Sequence, residues 1–107
     1  MSNVLIEYNK EEDILVIHKG FKPDEKFKGN IDLGYVVFDL STNGRIVGVE
    51  LMDASKFFKN MGFKESFLEK ISDAHIKSQI NPGSLVVFLM LKAGAEEMRI
   101  PIPAPLK

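Results

Sequence analysis

Cysteine is absent from this 107-residue chain. That excludes disulfide frameworks, zinc–cysteine sites, iron–sulfur clusters and thiol nucleophiles together. An excess of charge of one sign is also missing: 14 Lys and Arg face 15 Asp and Glu, for a formal charge of −1. A protein that grips phosphate backbones needs a concentrated positive field, so nucleic acid is not the expected partner. Long apolar runs are lacking. The longest, "SLVVFLMLKAGA", is broken by Lys92 and falls short of the roughly 20 residues a membrane helix needs. The opening "MSNVLIEYNKEED" turns acidic early and reads as neither signal peptide nor membrane span. A soluble, cytoplasmic protein without a membrane role is expected.

Chemical motifs are scarce as well. The 2 histidines, His18 and His75, have no partner at ligand spacing, and no H-E-x-x-H occurs. No G-x-S-x-G elbow is present, and "INPGSL" lacks the further glycines and the lysine of a phosphate loop. No catalytic residue, metal or cofactor is assigned on these grounds.

What is present is a series of short periodic segments in a chain long enough for one core, read as a single domain over 1–107. Val4 to Tyr8 and Ile14 to His18 are strand-like and flank the polar loop "NKEED". Pairing Tyr8 with Ile14 places Val4, Ile6, Tyr8, Ile14, Val16 and His18 on one face. The other face, with Leu5, Leu15 and Ile17, is also largely apolar, so this sheet should be covered twice. "KGFKPDEKFKGNID" has no period and reads as a surface loop. Its lysines alternate with Phe21 and Phe27, a crude cation-and-ring patch, but Asp24 and Glu25 dilute it, and the phenylalanines are expected to tuck onto the body.

"GYVVFDLSTNGRIVGVEL" reads as a hairpin turning at "STNG". With Leu40 opposite Arg45, Tyr35 faces Glu50, Val37 faces Gly48 and Asp39 faces Ile46. Asp53 then precedes "ASKFFKNMG" as a helix N-cap, and Gly62 is placed to end that helix. Phe63, Phe67, Leu68 and Ile71 recur at helical spacing, with "SFLE" as a capping box. The last third returns to strands: "AHIKSQI", the turn "NPGS", and "LVVFLMLK" as a central strand buried on both faces. Finally, "EMRIPIPAP" places prolines at 101, 103 and 105, all of one parity. An edge strand protected by proline is the favoured reading, and a polyproline docking arm its rival. The expected fold is α+β: an antiparallel, hairpin-rich sheet of about seven strands, with one bent helix or two short helices in mid-chain.

Three pieces in order, "IEYNKEEDILVI", "GYVVFDLSTNGRIVGVEL" and "DAS", resemble a short prokaryotic family known as domain-of-unknown-function family 2283. The matching positions are Tyr8, Asp13, Leu15, Asp39, Gly44, Gly48, Glu50, Ala54 and Ser55, while Asn9 stands where the family more usually has aspartate. The likeness covers about residues 1–56 and leaves the helical segment and C-terminal strands of 57–107 outside it. It implies a fold of two hairpins and a helix start. The family has no agreed activity, and some members are suspected of sitting in toxin–antitoxin-like gene pairs.

Tyr35, Asp39, Glu50 and Asp53 form the candidate cluster. A hard-metal site needs several converging oxygens, and acid/base work needs two carboxyls across a cleft. Each residue also has a structural explanation, with Glu50 accepting from Tyr35 and Asp53 capping the helix. The leading expectation is a non-enzymatic module that contacts protein, most simply as a homodimer. The alternatives are a small enzyme or divalent-metal-binding protein using Glu50, Asp53 and Asp39, and an antitoxin-like or nucleic-acid-binding regulator.

Overall fold

The alternating segments become strands, and the Phe-rich stretch between them becomes two short helices, in the computed structural model of the chain. The structure describes residues 4–105. Residues 1–3, the start of the stretch read as carrying no leader, and residues 106–107 lie outside the described residues. In order come β1 (Leu5–Asn9), β2 (Ile14–His18), β3 (Phe27–Asp32), β4 (Val36–Ser41), β5 (Ile46–Leu51), α1 (Ala54–Asn60), α2 (Ser66–Glu69), β6 (Asp73–Asn81), β7 (Ser84–Ala93) and β8 (Glu96–Pro105). The α+β class with antiparallel sheets and a helical interruption is as expected. The strands divide into a five-stranded sheet, β1-β2-β5-β4-β3, and a three-stranded sheet, β6-β7-β8. One cluster of buried side chains draws on both sheets and both helices, from Leu15 and Phe38 through Phe58 to Leu89 and Ile100. No helix among the described residues is long and apolar enough to cross a membrane.

Register is where the structure departs from the sequence reading. In the first hairpin Tyr8 pairs with Leu15 and Asn9 with Ile14, one residue from the expected match. Asp13 adopts φ 56°, and this left-handed residue closes the loop one position earlier. Because side chains alternate, that single step turns β2 over relative to β1. Leu15 and Ile17 become fully buried, beside Ile6 and Tyr8, while Val16 and His18 turn outward.

The second hairpin slips twice. Ser41 and Arg45 close the turn by a backbone bond of 2.9 Å, with Gly44 at φ 77°, and an irregularity follows between Asp39 and Leu40. The two steps together preserve parity, so Val36, Phe38, Val49 and Leu51 do share the buried face. They also move every partner: Glu50 faces Val37 and Asp39 faces Gly48.

The stretch read as a featureless surface loop contains β3, which pairs with β4 as an edge strand. A bulge between Phe27 and Gly29 interrupts it, one of the usual ways of blunting an exposed edge.

Helix α1 ends as expected. Gly62, at φ 87°, donates to the Lys59 carbonyl at 3.0 Å, and Phe63 donates to that of Phe58 at 2.9 Å, the paired bonds of a glycine-terminated helix. Neither helix has a side-chain cap from the residue before it, so the capping roles read for Asp53 and for "SFLE" are both corrected. Phe57, Phe58, Phe63 and Phe67 form a chain of ring contacts with centroids 5.2–6.0 Å apart, fixing the helices on the sheet.

In the second sheet β7 is central, as its apolar run indicates. It is fully buried on one face only: Leu85, Val87, Leu89 and Leu91 are covered, while Val86, Phe88 and Met90 are half-covered, with the Arg99 guanidinium 5.7 Å over the Phe88 ring. Strand β8 occupies an edge and carries Pro101, Pro103 and Pro105 within its ladder, so the segment is a strand and not a free arm.

Candidate functional site

The four residues singled out by sequence do not converge. Tyr35 is 45% exposed and stacks on Phe57 at 6.2 Å. Its carbonyl accepts from Met52 at 2.8 Å, so the tyrosine sits beside residue 52, past the position expected. Glu50, half-buried on the outer face, lies between Val16 of β2 and Val37 of β4. Asp53 precedes α1 at φ 48°, ψ 47° and makes no cap bond. Among the described residues no group of three or more His, Asp or Glu side chains is arranged to hold a metal ion.

Asp39 does belong to a cluster, with residues the sequence did not associate with it. The register sets Leu5, His18, Gly48, Asp39 and Asn30 in one row across the five strands. The Asn30 amide donates to Asp39 Oδ1 at 2.6 Å, and His18 Nε2 lies 4.0 Å from Asp39 Oδ2. The Gly20 backbone N–H donates to His18 Nδ1 at 2.9 Å, so in the neutral ring the proton sits on Nε2, facing Asp39. Gly48 makes room for this row. A Cβ there would stand 2.5 Å from Asp39 Oδ2 and 2.9 Å from His18 Cδ2. At 4.0 Å the His18 ring and the Asp39 carboxylate are not hydrogen-bonded, and no hydroxyl nucleophile hydrogen-bonds to the imidazole among the described residues.

Asp13 carries one of two densely bonded carboxylates. The Tyr8 hydroxyl donates to Asp13 Oδ1 at 2.6 Å, the Ser55 backbone N–H donates to the same oxygen at 2.9 Å, and the Ser55 hydroxyl donates to Oδ2 at 2.5 Å. The Asp13 carbonyl also accepts from Ala54 N–H at 2.9 Å. Asp13, a turn residue of the first hairpin, is therefore the cap of α1. Burial pushes its carboxyl up, but the bonds from the Ser55 hydroxyl, Tyr8 and the Ser55 N–H outweigh that and hold it below the usual value. Burial, the bond to Asp13 and the Asp13 charge raise the Tyr8 phenol.

A second cluster anchors the lysine-rich segment. Glu25, whose side chain has no solvent exposure, accepts from the Ser41 hydroxyl at 2.6 Å, Arg45 Nε at 2.9 Å and the Lys22 N–H at 2.9 Å. Burial works against its ionised form, yet these donors together hold its carboxyl below the ordinary range. Glu25 is thus a structural latch, whereas charge counting treats it as a diluent. Burial lowers Lys19, helped by the Arg45 charge, and its ammonium donates to the Ile76 carbonyl at 3.0 Å, joining the two sheets. Phe21 and Phe27, expected to tuck in, remain exposed, although Phe21 meets the His18 ring edge-on at 5.3 Å.

Tyr8, Asp13, Gly48, Ala54 and Ser55 each hold a structural contact in these clusters, and all stand within one stretch that comparison with known proteins recognises. A protein of Methanocaldococcus jannaschii described as uncharacterised is 38% identical over 55 residues, covering 51% of this chain and 45% of the relative. The chain therefore spans less than half the length of that relative. No solved structure matches the chain. The recognised stretch begins at the first residue of β1 and ends at Ser55, where Asp13 closes the hairpin onto the helix start. The model of the family described as Protein of unknown function (DUF2283) matches residues 5–55, in the first half of the chain.

Proposed function

We propose that the chain acts without catalysis, as a module that associates with a second copy of itself. The observation that carries this reading is Ile80. It is a large apolar side chain on strand β6 with 74% of its surface exposed, on the same parity as the buried Ala74 and Ile76. A core-facing isoleucine left open at a sheet margin is the kind of surface that oligomer interfaces cover. The polar groups with chemical potential already have structural partners: Asp13 caps a helix, Glu25 latches a loop and Asp39 holds Asn30. Sedimentation equilibrium over a wide concentration range tests the reading. A monomer–dimer equilibrium is expected, and a monomer at every concentration would overturn it.

A further inference from the structure

The two margins of the three-stranded sheet differ in chemistry, and the difference selects a mode of association. Strands β6 and β7 are joined by the two residues Pro82 and Gly83, with Asn81 opposite Ser84. In such a hairpin the closing pair exchanges backbone bonds. Odd-numbered residues of β6 therefore bond inward to β7, and even-numbered ones aim their N–H and C=O groups at the open margin. Two contacts agree with this. The Ala74 N–H is met by Asp73 Oδ1 at 2.9 Å, and the Ile76 carbonyl is met by Lys19 Nζ at 3.0 Å. Among the described residues Ser78 and Ile80 have no partner for their outward groups.

At the opposite margin, Gly94 and Ala95 join Ala93 to Glu96. By the same rule the odd residues of β8 point outward. These include Pro101, Pro103 and Pro105, which have no N–H to offer. One margin is closed to strand addition and the other is open.

We infer that two copies pair antiparallel through β6, with Ser78 opposite the second copy's Ile80, Ile80 opposite its Ser78, and the two Gln79 residues meeting on the two-fold axis. This rests on the self-association proposed above and names its surface. The register uses the free groups: each Ser78–Ile80 pair exchanges both its backbone bonds. It also suits the groups already engaged. Ile76 falls opposite Pro82 of the second copy, so the carbonyl occupied by Lys19 meets a residue with no N–H. On the outer side Lys77 faces Asn81, and no like charges stand opposed. Ile80 gains neighbours on the open side of its strand. A two-fold contact of this kind uses the same patch on both copies. Within the three-stranded sheet each copy then presents only its proline-lined margin, so strand addition to this sheet stops at the dimer.

The absence of cysteine makes the test direct. Opposed residues at a non-bonded antiparallel position lie about 4.5 Å apart between Cα atoms, inside the roughly 4.4–6.8 Å a disulfide spans. In a thiol redox buffer, Gln79→Cys is expected to form a covalent dimer roughly tenfold faster or more than a control, Glu97→Cys, on the exposed margin of β8. The double variant Ser78→Pro with Ile80→Pro leaves every inward donor in place and removes the two outward donors together with the Ile80 side chain, so it should keep its circular dichroism while dimer affinity falls roughly tenfold or more. Crosslinking no faster than the control, or a double-proline variant as dimeric as the parent, overturns this register and leaves self-association standing. A wild-type chain monomeric at all concentrations overturns both.

Discussion

The Asp13 carboxylate and the Ser55 backbone N–H meet at 2.9 Å across 42 residues of chain. Helix α1 is therefore capped from the first hairpin, while Asp53, the residue in the usual capping position, supplies only a left-handed turn. The two aspartates divide between them the roles that one N-cap residue ordinarily combines. Asp13→Ala should cost about 0.5–2 kcal/mol, the usual worth of an N-cap. A double-mutant cycle with Ser55→Ala should show coupling of about 0.5 kcal/mol or more. At position 53, glycine should be tolerated better than alanine, because only the backbone conformation matters there. Urea unfolding of the set checks all three, and equal losses for Asp53→Gly and Asp53→Ala would contradict the assignment.

The same carboxylate sets a pH dependence. Its pKa lies below the ordinary 3.8 in the folded chain, so the unfolded chain binds the proton first as acid is added. The stabilisation from Asp13 is complete above the unfolded value and is lost as pH falls through the folded one. The stability gap between wild type and Asp13→Asn should thus be constant near neutrality and close below about pH 4. Tyr8 behaves in the opposite sense. Its pKa is raised above the ordinary 10.0, so its contribution is complete below that value and is lost only as pH rises through the higher folded one. Denaturant midpoints measured against pH for wild type, Asp13→Asn and Tyr8→Phe read both limbs.

Gly48→Ala should destabilise by about 1–3 kcal/mol, the range for an overpacked site. The obstruction is the pair of side chains Asp39 and His18, not backbone. Asp39→Ala in the Gly48→Ala background should therefore recover part of the loss. Absence of any recovery in thermal melts would show that the glycine serves a different need.

Glu50→Gln should leave stability within about 0.5 kcal/mol of wild type, as for substitutions away from any bonded network. Its neighbours across the strands are Val16 and Val37, and no hydrogen bond to its carboxylate occurs among the described residues. Titration calorimetry with magnesium, calcium, manganese and zinc should give no heat that depends on Glu50. Metal uptake abolished by Glu50→Gln would instead restore the acidic-site reading.

The sequence by itself determined where most strands lie, where α1 ends and which margin is closed to pairing. These are local matters: alternation in "GYVVFDL", a left-handed Gly62 after "ASKFFKNM", and three prolines of one parity in "EMRIPIPAP" each act through their own backbone or nearest neighbours. The tertiary structure decided register and everything that depends on it. A left-handed Asp13 shortened one loop by a residue and turned β2 over relative to β1. Two small irregularities moved Glu50 from Tyr35 to Val37 without disturbing the buried parity. The contacts that organise the polar groups, Asp13 with Ser55 and Glu25 with Ser41 and Arg45, join residues far apart in the chain. Composition and periodicity carry no signal for such pairs, because each depends on how separate hairpins come to rest against one another.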